Sequence, residues 1–428
     1  MSEKSLGGAP GTSPGMTPEA AQFAQRIERL DTVLALREPD RVPFVPSTNN
    51  LYATHYPGLT TVREWMTDPT CMIPVMERYL KDYDPDLVWT PSHFPIPPME
   101  TLGYKYSRWP GPYWNLPDNT SYQYIDGSFL DEDLYEEFFK DPTLYLLTKI
   151  VPQKMKGLEG LAMLNPYGMV NQCVLAYTPF GLPPVQAALR NLIRAGSEIM
   201  EYLGKAAAVD EIVRNAGYPT FGSASMITPF DDFADHVRGL LELCLDIVIQ
   251  PEDVDRACAL WGDMTIPAAI ATAKMSHQKY IFVPLHCGAE MFMSPDKYRD
   301  HYWPVLKRAL EAAIAADLTP IVFCEGGYTS RLDYIRDIEP GKVIYVFEDV
   351  DLKLAKEKLG GITCISGGMK TGTLMFGKPE DVEEEVKRTL DIMMPGGGYI
   401  SSNTVALDKV PPENMHAWRE AIEKYGKY

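Results

Sequence analysis

From about residue 20 the chain alternates between runs with helical spacing and short apolar runs. "PEAAQFAQRIERLDTVLALREPD" carries Phe23, Ile27, Leu30 and Leu34 at helical intervals. "RVPFVP" and "DLVWT" follow as short buried strands. "PPVQAALRNLIRAGSEIMEYLG" reads as helix. "FDDFADHVRGLLELCLDIVIQPEDVDRACALWGDMTIPAAIATA" reads as a helical pair with an acidic start and a Pro-Glu-Asp restart. "YIFVPLH" is a strand. "SPDKYRDHYWPVLKRALEAAIAAD" is a helix with Tyr298, Tyr302, Leu306, Leu310 and Ile314 on one face and a kink at Pro304. "LTPIVFCE", "KVIYVF", "ITCIS" and "GGYISS" are further strands. "DLKLAKEKLG" and "KPEDVEEEVKRTLDIM" are the helices among them, the second with Pro379 and acidic residues in its first turn.

Strands separated by crossover helices pair in parallel. Eight candidate strands emerge: 42–46, 86–90, 173–177, 281–286, 320–325, 342–347, 362–366 and 398–402. Eight suits a single α/β domain of the (β/α)8 barrel type. An open doubly wound sheet is the alternative, but "FVPSTNN" after the first strand is no nucleotide-binding turn. Residues 1–19, rich in Gly, Ser and Pro, read as a flexible tail, and 20–428 as the barrel. Residues 91–139 interrupt the alternation after the second strand with twelve aromatics and seven prolines. This segment is either an irregular insertion packed on itself or a cap whose rings line a pocket.

Composition narrows the partners. The 428 residues hold 40 Lys and Arg against 58 Asp and Glu, a formal charge of −18. That balance argues against nucleic acid and against an anionic membrane surface. No apolar run reaches the roughly 18 residues that span a bilayer. Seven cysteines without a C-x-x-C, and no charged leader before an apolar run, fit reduced thiols in the cytoplasm.

Residues just past the strand ends of a β/α barrel face its active site. His286 ends the fourth strand and is followed by Gly288 and Glu290. Glu325 ends the fifth, before Gly326 and Gly327. Glu348 ends the sixth, and Asn403 follows the eighth. Alternation along the strand turns Cys287 and Cys324 away from this rim. A histidine and several carboxylates at one rim suit general acid/base chemistry or a metal, and zinc accepts both ligand types. The plain alternative is that each acid pairs with a base such as Arg331. His93, Trp109, Tyr113, Trp114, Tyr328 and Asn403 are candidates to line the ligand. "SGGMKTG" is no Walker loop, and no H-E-x-x-H, G-x-S-x-G or G-x-G-x-x-G occurs.

Several stretches resemble the uroporphyrinogen decarboxylase superfamily in their order: "REPDRVPF", "LPDNTSYQYIDG", "FDDFADHVRGLLELCLDIVIQPEDV", "HCGAEMFMSPDKYRDHYWPVLKRAL", "EGGYTSRLDYI", "DVDLKLAKEKLGGITCISGG" and "GGGYISSNTVALDKVPPENMHAW". The resemblance implies a β/α barrel. It covers the chain from about residue 25 onward. The Arg-rich "MRQAGR" segment of the porphyrinogen decarboxylases is missing. The "H-x-C-G" strand end of the coenzyme M methyltransferases is replaced by "FCEG", with Phe323 at the His place and Glu325 at the Cys place. What the resemblance implies is therefore a demethylating methyltransferase. It would take a methyl group from a small donor, such as an O-methyl aromatic ether, and pass it to the cobalt of a separate corrinoid protein. Such a homologue is expected to be a homodimer. His286 and Glu325 are then the expected catalytic residues, holding zinc with Glu348 or Glu290, or with Glu325 as general acid if no metal binds. A cofactor-free decarboxylase of a bulky acid and a non-catalytic ligand-binding barrel are the rival readings.

Overall fold

The computed structural model describes residues 16–48, 51–90, 95–170, 174–222 and 224–428. Its extended segments are Val88–Trp89 (β1), Ser107–Arg108 (β2), Gln123–Tyr124 (β3), Thr220–Phe221 (β4), Tyr280–Leu285 (β5), Thr319–Gly327 (β6), Ile344–Asp349 (β7), Cys364–Met369 (β8) and Tyr399–Asn403 (β9). The last five form one parallel sheet in sequential order. Helices Pro295–Ala315 (its first turns π-helical at Tyr298–Tyr302), Leu352–Leu359 and Pro379–Met393 lie between them. The domain is thus α/β, with helices returning the chain between parallel strands.

Hydrogen bonds continue beyond that sheet. Val45 N donates to Ser401 O at 2.9 Å and Ser401 N to Pro43 O at 2.9 Å, so the first extended segment flanks β9. Asp86 N donates to Phe44 O at 2.8 Å, and Val88 N to Pro219 O at 2.9 Å. β1 pairs in parallel with β4. Phe282 N donates to Ala224 O at 2.9 Å, and Met226 N to Phe282 O at 2.8 Å. Eight segments are therefore linked in a circuit: 42–45, β1, the stretch 219–226, then β5 to β9 and back.

The third position of that circuit corrects the expectation from sequence. "CVLAY" is not a strand: Cys173 lies outside the described residues, and Val174–Gly181 is 3-10 helical. Val174 and Leu175 are 79% and 73% exposed. A five-residue apolar run carries no periodicity that separates strand from helix, and Pro179 breaks any ladder. The segment that takes its place, "PTFGSASM", lacks a strand pattern because only Phe221 and Met226 are large and apolar among small residues.

Period-two alternation sorts the strand side chains. Tyr280, Ile321, Ile344, Val346, Cys364 and Ile400 face inward, joined by Trp89, Phe282 and Phe323. Leu30, Val33 and Leu34 of the helix Pro18–Leu34 close one end of this inner cluster. Val283, Leu285, Val322, Tyr345 and Phe347 face outward into the larger core beneath the helices. In the helical stretch 295–315, Pro304 has no N–H to give the preceding turn, and the chain widens there into the π-turn Tyr298–Tyr302.

At the strand starts, charge is buried in a closed network. Asp86 is fully buried and accepts from Arg29 Nη1 at 2.5 Å, Arg41 Nη1 at 2.6 Å, Arg41 Nη2 at 2.9 Å and Phe44 N at 2.7 Å. Arg29 also grips Asp40 at 2.6 and 2.7 Å. This ties the helix Pro18–Leu34 to the first two extended segments. Removing Asp86 leaves Arg41 without a carboxylate and the buried Arg29 with Asp40 alone, which costs about 3–5 kcal/mol. Asp86→Ala is therefore expected to lower the urea midpoint by the equivalent of that amount. Asp296→Ala, on an exposed ion pair, is expected to change it by less than about 1 kcal/mol.

Candidate active site

β5 and β6 run parallel with Leu285 opposite Cys324, so the next residues, His286 and Glu325, leave neighbouring strand ends side by side. A register shift between Cys324 and Gly327 marks a bulge in β6, and Gly326 takes φ +72°, a conformation glycine adopts without strain. This bulge aims Glu325. His286 Nδ1 lies 3.1 Å from Glu325 Oε2. The two expected catalytic residues do meet.

A third partner was not visible in the sequence. His286 Nε2 lies 3.2 Å from Asp235 Oδ2. Asp235 sits on the π-turn Ala234–Arg238, which continues the short helix Pro229–Phe233; such turns recur at functional sites. Asp231, one helical turn earlier and fully buried, holds that element against β5. Its Oδ1 accepts from His286 N at 2.9 Å and Cys287 N at 2.7 Å, and its Oδ2 from Tyr302 OH at 2.6 Å and from Thr228 Oγ1. The signal was present in "FDDFADH", but its acids read as an ordinary N-terminal turn.

Electrostatics follow from this geometry. Burial works against charge on His286, yet the hydrogen bonds to Asp235 and Glu325 and the charge of Asp231 prevail and raise it to about 11. It is an imidazolium at neutral pH. Burial pushes the Asp235 carboxyl up despite its bond to His286. Next to it, burial lifts Asp232 to about 6, against the 2.7 Å bond from Trp261 Nε1. Burial also takes His236 down to about 4, helped by the charges of Lys154 and His286, and Lys154 down to about 8. Lys154 Nζ donates to His236 O at 3.1 Å.

The other expected residues part company. Glu348 Oε2 accepts from Gly326 N at 2.7 Å, and Glu290 Oε1 from Ser330 N at 2.6 Å. Both brace the loop around Glu325 instead of joining His286. Among the described residues no group of three His, Cys, Asp or Glu is arranged to hold a metal ion. A histidine ligand must offer a ring lone pair, and both His286 nitrogens face carboxylates. The zinc set His286, Glu325, Glu348 and Glu290 does not fit this arrangement.

His93 lies outside the described residues. Trp109 is buried, with its ring 4.9 Å from Trp114 and 5.7 Å from Tyr104; Tyr113 is 53% exposed, 4.5 Å from Trp114. These rings pack on one another. It is Tyr124 that reaches the site, donating to Asp235 O at 2.7 Å. Burial, then the charges of Glu325 and Asp235, raise the neighbouring Tyr122 phenol. Tyr328, expected at the ligand, is fully buried on the helix side, its ring 6.3 Å from Tyr298 and 6.5 Å from Phe347. It fits there because Gly288 has no side chain: a Cβ would stand 2.6 Å from its hydroxyl. Asn403 lines the inner cavity, but its amide is spent on Ser47 O at 2.9 Å, Val405 O at 2.6 Å and Ser47 N at 2.7 Å, clamping the circuit shut.

Comparisons with known proteins come to the same end of the chain. A family model described as "Uroporphyrinogen decarboxylase (URO-D)" matches residues 206–425. No curated protein sequence matches significantly. Among solved structures, a methyltransferase from Methanosarcina mazei superposes with a TM-score of 0.63 at 14% identity, covering 93% of this chain and 98% of its own. A B12-independent methionine synthase from Shewanella sp. W3-18-1 reaches 0.35 at 11% identity, covering 50% of this chain and 64% of its own. The first likeness is one of fold, and the second carries no argument.

A raised imidazole stabilises the fold while it holds its extra proton. The contribution of His286 is fully present below about 6.5 and is lost as pH climbs toward about 11. His286→Gln is expected to flatten the alkaline fall in stability across that window, read by denaturation at a series of pH values. Asp235→Asn is expected to lower the imidazole titration midpoint, read by NMR.

Proposed function

The chain belongs to the uroporphyrinogen decarboxylase family, and on that premise we propose that it is a corrinoid-dependent methyltransferase of the O-demethylating kind. It takes the methyl group of a small aryl methyl ether and passes it to the cobalt of a separate corrinoid protein. We read the hydrogen-bonded circuit as a closed (β/α)8 barrel, with residues 91–139 as a cap beside its mouth, working in the cytoplasm. The observation that carries this reading is the His286 ring held between the Asp235 and Glu325 carboxylates at the end of an aromatic-lined lumen.

The chemistry is one of leaving groups. An aryl ether gives up its methyl group poorly because the departing oxygen takes the bonding pair as phenoxide. A cobalt(I) corrinoid on the partner would supply the nucleophile. The chain's own task is to protonate the oxygen as the carbon–oxygen bond breaks, so that a neutral phenol leaves. His286 is charged for this at neutral pH, and the proton it gives is one held at about 11, close to that of a phenol. Glu325 is the more exposed of its two carboxylate partners, at 38% against 17% for Asp235. It is therefore the partner that yields Nδ1 to substrate, while Asp235 keeps the ring oriented. Tyr124 ties down the Asp235 backbone through its bond to Asp235 O.

Decarboxylation of a bulky carboxylic acid is disfavoured by the same mouth. Asp235, Glu325 and Glu348 would repel it, and no arginine is among the described residues lining the lumen. The non-catalytic barrel is favoured by one observation: both nitrogens of His286 are already neutralised. One experiment decides between them. Purified protein is mixed with cobalt(I) cobalamin and a panel of methoxybenzenes, and methyl-cobalt absorbance is followed. Methyl transfer that falls about 10²–10⁴-fold in His286→Ala, and less in Glu325→Gln, supports the transferase. No transfer from any aryl ether, or equal rates in His286→Ala, would overturn it.

A further inference from the structure

The lumen beneath His286 and Glu325 holds a cavity of about 90 Å³. A cavity of about 150 Å³ holds one benzene, so the space here is on the scale of a single small ring and takes no tetrapyrrole. Its walls differ. Trp89, Phe282 and Phe323 form one side, with Phe282 and Phe323 stacked at 6.3 Å and Trp89 edge-on to Phe282 at 5.4 Å. Hydroxyl groups form the other, where Ser366 Oγ and Ser402 Oγ share a 2.8 Å bond. Glu325 follows Phe323 by two residues on the same face, so it stands about 7 Å above that aromatic wall.

The closed end is not purely apolar. Tyr280 lines the cavity, is 4% exposed, and its hydroxyl has no hydrogen-bond partner among the described residues. Trp89 Nε1, also at the cavity, has none among them either. Buried donors are rarely left unpaired, because they lose water and gain nothing. Burial also keeps the Tyr280 phenol neutral. No Lys or Arg is among the described residues lining the cavity, so a carboxylate there would be an uncompensated buried charge.

We propose that the lumen binds a single aromatic ring bearing a neutral hydrogen-bonding substituent, such as a phenolic hydroxyl, and that Tyr280 and Trp89 select that substituent. The identity of the opposite, reacting group as methoxy rests on the function proposed above; the binding site does not. Its ligand class is therefore a methoxyphenol in preference to a methoxybenzoate or an unsubstituted anisole.

Binding is measured without any corrinoid, by calorimetry, using 4-methoxyphenol, anisole and 4-methoxybenzoate. The phenol is expected to bind roughly three- to tenfold more tightly than anisole, and the benzoate not at all. In Tyr280→Phe the phenol falls to the affinity of anisole, while anisole is unchanged. Ser366→Leu, which fills the cavity, abolishes binding of both with the circular dichroism spectrum intact. Equal affinities for phenol and anisole, undiminished discrimination in both Tyr280→Phe and Trp89→Phe, or binding that survives Ser366→Leu would overturn the proposal. Binding of the phenol without methyl transfer would leave this site standing and remove the transferase reading.

Discussion

Asp231 is a charge that the fold cannot leave unpaired. Four donors from three places in the chain converge on it: Thr228 on its own helix, the His286 and Cys287 amides past β5, and Tyr302 in the π-turn Tyr298–Tyr302. Burying a carboxylate is tolerable only when hydrogen bonds replace its water, so all three elements are held at once. The arrangement of the mouth follows. With the helix Pro229–Phe233 pinned to the end of β5, its continuation brings Asp235 to one edge of the imidazole, while the bulge in β6 brings Glu325 to the other. Asp231 touches no reacting group in this scheme; it is a positioning residue.

The site then works by contrast between levels. Two residues separate Phe323 from Glu325 and Val346 from Glu348, and in that step the lining changes from hydrocarbon to carboxylate. Under the proposed function, a ligand that spans the boundary would keep its ring out of water and present its ether to His286. The excess of negative charge around His286 favours its protonated form and disfavours anionic compounds at the mouth.

Much of this was legible in the chain. Regular spacing of β5 to β9 and their helices let strand ends be located within three residues, and alternation set His286 and Glu325 against Cys287 and Cys324. Two things escaped. The stretch 219–226 is only two residues of ladder plus a bridge, so Gly and Ser dominate its pattern while backbone bonding to β1 and β5 makes it extended. Asp235 escaped because helical periodicity says nothing of which strand end a turn will approach; that is decided by Asp231, some fifty residues before its partners. Tyr328 lies close to Glu325 in sequence, but the space left by Gly288 admits its ring on the opposite face.

The circuit of segments is fastened unevenly. β5 to β9 share long ladders, whereas 42–45, β1 and 219–226 are joined to their neighbours by one to three backbone bonds each. Asn403 is the latch where the weak side returns to the strong one. A wall built this way has a stiff arc and a compliant arc, and thermal breathing concentrates in the second. The rigid arc carries His286 and Glu325, so their mutual geometry rests on the better-bonded side. Under the proposed function, passage of a flat guest by way of the compliant side would leave that pair undisturbed.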